Sequence, residues 1–165
     1  MSGTADAGGG RPKERAEGYP RPPRVVPDGR RVTVIHGGVV IVDSRRSLRV
    51  LETHHPPTFY IPPTDVRIDL LSLSPHATFC EWKGVATYWN LTGSNLLVPN
   101  VAWSYEDPSP GYAELTGHIA FYPGRVNECT VGGELVRPQP GSFYGGWITS
   151  EIEGPFKGDT MNTTH

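Results

Sequence analysis

The stretch from Phe79 to Asn90, FCEWKGVATYWN, gathers a thiol, a carboxylate, an amine and several aromatic rings. A cysteine can act as a nucleophile, and a lysine between apolar walls can lose its proton and act as a base. Cys80, Glu81 and Lys83 could therefore form a reactive group walled by rings. In the alternative interpretation Cys80 is a small buried hydrophobe, the two charged residues are solvated, and the rings are core. The spacing alone does not decide between the two.

The same stretch has the alternation of a β-hairpin. Successive side chains of a strand point to opposite faces, so Cys80 and Trp82 share one face. Lys83 and Gly84 then form a tight turn or a bulge, because glycine tolerates a positive φ. On the return strand the faces alternate again, with Val85, Thr87 and Trp89 on one and Ala86 and Tyr88 on the other.

Nucleophilic catalysis by Cys80 would require a histidine close to it in space. His118 opens the predicted strand HIAFYP, on the same face as Ala120 and Tyr122. The other candidates lie beside two prolines or in a polar loop: His54, His55 and His76. A Cys80–His118 pair is therefore the specific enzymatic hypothesis, with His118 as a proton carrier.

Charge and cysteine content argue against several classes of protein. The 15 Lys and Arg residues against 17 Asp and Glu residues leave a net charge of -2, which disfavours general nucleic-acid binding. Cys80 and Cys129 are the two cysteines, too few for a four-cysteine zinc site. The sequence has no signal-peptide pattern and no run of about 18 apolar residues. We therefore expect a cytoplasmic protein that does not contact membranes.

The elements that position these residues are predicted to be short strands. The chain of 165 residues fits one domain, and its 20 glycines and 17 prolines favour turns over long helices. Hairpins are predicted at Gly37-Gly38 and at Gly132-Gly133. The sequence predicts an all-β, mainly antiparallel domain, with short helical turns in PSPGYAELTG and near PTDVRI.

Segment boundaries follow from composition. Residues 1–24 have almost no large apolar side chains and are predicted to be a disordered tail. Residues 25–158 form the single domain, and 159–165 form a flexible end. Within the domain, DVRIDLLSLS is predicted as a strand with Val66, Ile68 and Leu70 on one face. NVAWSY is predicted as a strand that presents Val101, Trp103 and Tyr105 together on one face.

Several longer segments resemble bacterial members of domain-of-unknown-function family 427, and actinobacterial members most closely. They are VVIVDSRRSLRVLETHHPPTFYIPPTDVRIDLL, TFCEWKGVATYW, AWSYEDPSPGYAELTGHIAFYPGRV and GGWITSEIEGPFKG, which together span roughly residues 32–158. The family's hallmark positions correspond to Cys80, Trp82, Lys83, Gly84, Tyr88, Trp103, Tyr105, His118 and Tyr122. Many members carry proline in place of Glu81, which gives Glu81 little functional weight.

The resemblance implies a β-tent-like fold, in which two antiparallel sheets meet at one end and splay at the other. In the ligand-binding domain of cereblon, a relative of that fold, an aromatic cage holds a cyclic imide. Other relatives carry a zinc ion held by four cysteines, so the resemblance implies a metal-free version here.

The family also bears a nucleotidyltransferase label, and the sequence gives it little support. The nearest acidic pair, Asp65 and Asp69, would lie about 13 Å apart along an extended strand, too far for one Mg²⁺ ion. The sequence also lacks a phosphate-binding G-x-x-x-x-G-K-[ST] loop.

The sequence thus predicts a pocket between two sheets that binds a small planar, cyclic or anionic molecule without a cofactor. Its ligand-binding residues are predicted to be Trp82, Lys83, Tyr88, Trp103, Tyr105 and Tyr122. One alternative is an enzyme that uses Cys80, Lys83 or His118 in that pocket. Another is a protein-interaction module that uses strand edges or the proline-rich segment YPRPPRVVP. The rings could also be core alone, and the sequence does not indicate an oligomeric state.

Overall fold

The computed structural model describes residues 11–141 and 143–158, and its architecture is all-β, as predicted. Fifteen short strands occur in this range: β1 Glu14–Arg15, β2 Arg24–Asp28, β3 Val32–His36, β4 Val39–Ser44, β5 Ser47–Leu51, β6 Thr58–Tyr60, β7 Leu71–Cys80, β8 Gly84–Leu91, β9 Val98–Ser104, β10 Ile119–Phe121, β11 Glu128–Val131, β12 Glu134–Leu135, β13 Arg137–Pro138, β14 Trp147–Ile148 and β15 Ile152–Glu153. Helical structure in the same range consists of five 3₁₀ turns: Ala16–Gly18, Pro63–Asp65, Ile68–Leu70, Pro110–Leu115 and Pro123–Arg125.

Three antiparallel sheets make up most of the domain. The first, which we call the site sheet, has the strand order β10-β9-β8-β7, and the second has the order β12-β11-β3-β4. A third sheet, β2-β5-β6, continues the site sheet because Ile61 and Ile119 exchange two backbone hydrogen bonds of 2.9 and 2.8 Å. No helix among the described residues is long and apolar enough to cross a membrane.

Two apolar clusters occupy opposite faces of the wall that β6, β10, β9 and β8 form. Adjacent residues of one strand enter different clusters, as the pleat of a strand requires: Phe59 lies in the main core and Tyr60 in the second cluster. Ala102 and Trp103 divide in the same way, but Val101 lies in the main core with Ala102, so the predicted face shared by Val101 and Trp103 is wrong. We call the second group the aromatic cluster; its buried members are Val50, Tyr60, Ala86, Tyr88, Trp103, Tyr105, Tyr112, Leu115, Ala120 and Tyr122.

Both predicted glycine hairpins are confirmed. His36 pairs with Val39, so Gly37 and Gly38 form a two-residue loop with φ of 57° and 77°. Gly132-Gly133 closes the β11–β12 hairpin in the same way, with φ of 58° and 86°. Two consecutive positive φ values define the type I′ turn, which matches the twist of the flanking strands.

The prediction of one continuous strand in DVRIDLLSLS is wrong in its first half. A 3₁₀ turn occupies Ile68–Leu70, and β7 begins only at Leu71. Val66 and Leu70 are buried, whereas Ile68 is 55% exposed. The backbone of Arg67 bonds to the carbonyl of Ile41 on β4 at 2.8 Å, and this tertiary contact breaks the alternation.

The predicted disordered tail also differs from the structure over residues 11–24. β1 pairs in parallel with β15, and Ala16 is fully buried beside Phe156. The carboxylate of Glu14 binds the guanidinium of Arg49 through two hydrogen bonds of 3.0 and 3.2 Å. Ionic anchoring of this kind is not visible in a count of apolar residues. Residues 1–10 and the predicted flexible end, 159–165, lie outside the described residues.

Candidate functional site

The structure brings the predicted aromatic ligand residues together on one face of the site sheet. Tyr88 on β8 lies directly opposite Trp103 on β9. Tyr105 and Tyr122, which follow β9 and β10, join them, and all four residues are between 5% and 8% exposed. Trp82 is half-buried and packs against the edge of the cluster.

Polar groups of these rings form hydrogen bonds within the cluster. Trp103 Nε1 donates to the Tyr60 hydroxyl at 3.1 Å, and the Trp103 and Tyr122 rings lie 4.6 Å apart. The hydroxyls of Tyr88 and Tyr122 are 3.4 Å apart. These rings therefore form a packed wall.

The segment that precedes β14 lies close against this wall. The Tyr122 hydroxyl donates to the carbonyl of Phe143 at 3.4 Å. Gly145 sits so near the indole that a Cβ atom there would come within 2.3 Å of Trp103 Cη2. Glycine at this position allows the backbone to approach the ring, a contact between distant segments that the local sequence does not indicate.

Two further members of the cluster, Tyr60 and Tyr112, were not among the predicted ligand-binding residues. Tyr60 is 2% exposed and lies between Trp103 and Tyr105, with ring centroids at 6.1 and 6.2 Å. Tyr112 comes from the 3₁₀ turn Pro110–Leu115. Alternation in TFYIP could have placed Tyr60 on the face opposite Phe59, but it could not show which cluster that face meets.

The side chain of Lys83 is largely buried. The residue is 7% exposed, and its Nζ lies 5.8 Å from the centre of the Tyr105 ring. Within the described residues, no carboxylate oxygen lies within 4.0 Å of this ammonium. Burial by itself lowers the pKa of Lys83, but interactions with Tyr60, Cys80 and Glu52 raise it above its ordinary value.

Lys83 therefore keeps its proton, which is the opposite of what a catalytic base needs. The phenols around it are neutral at physiological pH. Burial raises the pKa of Tyr60, Tyr105 and Tyr122, and neighbouring hydroxyls add to the effect at Tyr105 and Tyr122. The site thus presents one positive charge, neutral hydroxyls and aromatic faces.

Cys80 ends β7 and pairs with Gly84, the first residue of β8. Gly84 has a φ of +105°, as the prediction of a turn or bulge at this glycine requires. Cys80 is half-buried at the edge of the aromatic cluster, on the inner face of the hairpin. On the outer face Phe79 and Val85 lie opposite each other and are 74% and 55% exposed.

The structure does not bring Cys80 and His118 together. β7 and β10, which carry or adjoin these residues, are the two outer strands of the site sheet. Three strand spacings of about 4.8 Å separate their backbones by about 14 Å, beyond the reach of a thiol–imidazole hydrogen bond. The imidazole Nδ1 of His118 instead lies 3.3 Å from the carbonyl of Thr116. The separation of the outer strands rules out the predicted pair.

Other candidate sites have local structural roles. Asp65 accepts hydrogen bonds from Arg46 and Ser44, and Asp69 pairs with Arg67 at 2.9 Å. Over residues 11–141 and 143–158, no group of three or more His, Cys, Asp and Glu side chains is placed to hold a metal ion.

A cleft of about 450 Å³ adjoins the aromatic cluster. Trp82 and Tyr112 face Pro22 and Pro23 across it, and the Tyr112 hydroxyl donates to the Pro23 carbonyl at 2.8 Å. The proline-rich segment therefore packs on aromatic residues of its own chain. Recruitment of a partner protein stays a prediction that rests on the strand edges.

Comparison with known proteins gives a family but no activity. The family model described as "Domain of unknown function (DUF427)" matches residues 24–132, which is more than half of the chain. No curated protein matches the sequence significantly.

Proposed function

Because this chain belongs to the family described as Domain of unknown function (DUF427), we propose its function from the geometry of the site. The domain binds a small molecule with a planar or cyclic body and an anionic group. The anionic group meets the Lys83 ammonium, and the body lies against the aromatic cluster. No metal or other cofactor takes part in this binding.

The observation that carries the proposal is the burial of Lys83 without a carboxylate within ion-pair distance among the described residues. Packing of the Lys83 side chain against the rings reduces the hydration of its ammonium, and an opposite charge would compensate for that loss. A carboxylate or phosphate group of a ligand would supply that charge through a charge-assisted hydrogen bond. The raised pKa of Lys83 keeps the ammonium charged for such a partner.

The surroundings of Lys83 suit the remainder of such a molecule. The Tyr105 ring lies beside the ammonium, and neutral phenols supply hydroxyl donors. Trp82 belongs both to the edge of the aromatic cluster and to the wall of the adjoining cleft. We place the entrance to the site at Trp82, where open space and aromatic surface meet.

Thermal-shift measurements test this proposal. Nucleotides, aromatic carboxylates, dicarboxylates and cyclic imides are screened against the full chain. A ligand at one hundred times its Kd adds about 2.7 kcal/mol, which is about 5–10 °C in a chain of this size. We expect an anionic compound to give such a shift, and the shift to disappear in Lys83→Met.

The matched control is Lys157→Met, because Lys157 is exposed and its loss changes the net charge equally. This control should keep the shift. A compound that stabilises the Lys83→Met variant as strongly as the unaltered protein would show that the ammonium is not the anchor. Failure of every anionic compound to shift the unaltered protein would equally remove the proposal.

A further inference from the structure

We propose that the outer face of the second sheet, the face turned away from the main core, binds the phosphate group of a phosphate monoester or free phosphate. A groove of about 580 Å³ lies on this face. We call it the arginine groove, and its lining includes Arg30, Arg31, Arg45, Thr33, Thr130 and Glu128. The site shares no residue with the aromatic cluster and does not depend on ligand binding at Lys83.

Strand alternation explains why hydroxyl groups form the floor of this groove. Val32 and Val34 of β3 are buried in the main core, so Thr33 between them points to the opposite face. Thr130 on β11 pairs directly with Thr33, and the two hydroxyl oxygens lie 2.5 Å apart. One hydroxyl donates to the other, which leaves the hydrogen of the second for an oxygen atom of a ligand.

The strand register brings two arginines to one end of the groove. Val32, the first residue of β3, pairs with Ser44, the last residue of β4. Arg31 precedes Val32 and Arg45 follows Ser44, so residues far apart in the chain meet at neighbouring strand ends. Both side chains line the groove, beside the Gly132-Gly133 turn.

The arginines of the groove differ in what their guanidinium groups already bind. Arg30 pairs with the buried carboxylate of Asp28 at 2.7 Å and forms a fixed wall. Arg31 donates from Nε and Nη2 to Asp43 at 3.0 and 2.8 Å, so within the described residues its Nη1 hydrogens are left for another acceptor. No carboxylate oxygen of residues 11–141 and 143–158 lies within 4.0 Å of the Arg45 guanidinium.

A phosphate group matches these donors. The Arg31–Asp43 pair is neutral, so Arg45 gives this end of the groove a net positive charge. Phosphate has several acceptor oxygens and can therefore bind Nη1 of Arg31 and the guanidinium of Arg45 together, while a further oxygen meets a threonine hydroxyl. A carboxylate has two oxygens, which one guanidinium fork already satisfies.

Glu128 lies toward the other end of the groove. It pairs with Ile35, whereas Thr130 pairs with Thr33 nearer to the arginines. Along β3 the step from Arg31 to Ile35 spans about 13 Å. A ligand therefore meets positive charge at one end and a carboxylate at the other, which favours a molecule with one anionic end over a long polyanion.

The test is a titration of the full ¹⁵N-labelled chain, in low-salt buffer at neutral pH, followed by the amide signals in two-dimensional NMR. The probes are inorganic phosphate and glycerol 3-phosphate, with acetate and glycerol as controls. We expect saturable shifts at Thr33, Thr130 and the Gly132-Gly133 turn, with a Kd on the order of 1 mM because the groove is open to solvent. Acetate should bind more weakly than phosphate, and glycerol should shift none of these signals. Tighter binding of the ester than of free phosphate would identify the monoester as the ligand.

Two variants of the groove should change this Kd in opposite directions. Arg45→Gln removes the cation without an ion-pair partner and should weaken phosphate binding about threefold to tenfold. Asp43→Asn removes a negative charge and releases two more donors of Arg31, so it should tighten binding about twofold to fivefold. The matched control is Arg46→Gln, because Arg46 binds Asp65 and does not line the groove.

The control removes the same charge one residue away and should leave the Kd within about twofold, since salt screens exposed charges at a distance. Equal weakening by Arg45→Gln and Arg46→Gln would overturn the proposal, because net charge alone would then explain the binding. Shifts that do not saturate, or that do not include the groove signals, would overturn it as well.

The outcome is separable from that of the proposed ligand site. Lys83→Met should bind phosphate in the arginine groove as the unaltered protein does, because Lys83 is not part of the groove lining. Groove binding without any thermal shift that depends on Lys83 would refute the ligand site alone. A thermal shift that depends on Lys83, with no saturable signal in the groove, would refute the phosphate site alone.

Discussion

Replacement of Gly145 with alanine tests the packing of the aromatic cluster directly. A Cβ atom at this position would lie 2.3 Å from Trp103 Cη2 and 2.7 Å from Cζ3. Both distances are below any normal carbon–carbon contact, so the indole or the backbone must move. Overpacking of this kind costs about 1–3 kcal/mol. Each kcal/mol corresponds to about 2–4 °C in the melting temperature of a chain of this size.

The second variant in this experiment is Trp103→Phe. Phenylalanine lacks the two indole atoms that the new methyl group would meet, so it should accept Gly145→Ala with less strain. Alone, Trp103→Phe loses the 3.1 Å hydrogen bond to the Tyr60 hydroxyl, a loss of about 1 kcal/mol, and leaves a small cavity. We expect the alanine to cost less than half as much in the Trp103→Phe background as in the unaltered protein.

Urea denaturation followed by circular dichroism gives the four free energies of this double-mutant cycle. Gly29→Ala serves as the control, because a Cβ atom at Gly29 meets nothing within 4 Å. It should change stability by less than about 0.5 kcal/mol. Strict additivity of the Gly145 and Trp103 changes would refute the close approach of backbone and indole.

Three further predictions concern charge and pH. Arg49→Met should lower the free energy of unfolding by about 2–3 kcal/mol, because Asp28 and Glu14 both lose a cationic partner. An unchanged midpoint of urea denaturation would contradict the ion-pair network. Burial alone would raise the pKa of the Asp28 carboxyl, but Arg30 lowers it below its ordinary value. The ionised carboxylate therefore stabilises the fold above about pH 4, and this stabilisation should be lost as the pH falls through and below that value. Asp28→Asn should flatten this decline in pH-dependent melts. Burial raises the pKa of Tyr105, so stability should be lost as the pH rises above about 10, where the unfolded chain ionises, and Tyr105→Phe should reduce that loss.

Local sequence patterns predicted the parts of the fold that local forces determine. The glycine pairs Gly37-Gly38 and Gly132-Gly133 define their hairpins because two successive positive φ values suit glycine. Alternation also placed Ala86 with Tyr88, and Trp103 with Tyr105, on one face of their own strands, and both pairs lie in the aromatic cluster. These inferences required only the nearest neighbours in the chain.

The remaining features depend on contacts between distant segments. Tyr60 reaches the cluster only because the chain after β6 pairs with β10 at Ile61 and Ile119. Cys80 and His118 are separated by the order of four strands, which the sequence does not state. The segment around Glu14 is held by Arg49, a charge contact that hydrophobic patterning does not reveal.

The wall with two buried faces has a consequence for insertions. Along β6 and β10 successive side chains alternate between the main core and the aromatic cluster, as Phe59 and Tyr60 do on β6. Insertion of one residue within such a strand would move the side chains of each face to the other face. The Tyr60 hydroxyl would then lie in the apolar main core, and Phe59 would lie among polar rings. Insertion of two residues would keep each side chain on its own face. This domain should therefore tolerate length changes of its central strands in pairs of residues, and reject single ones.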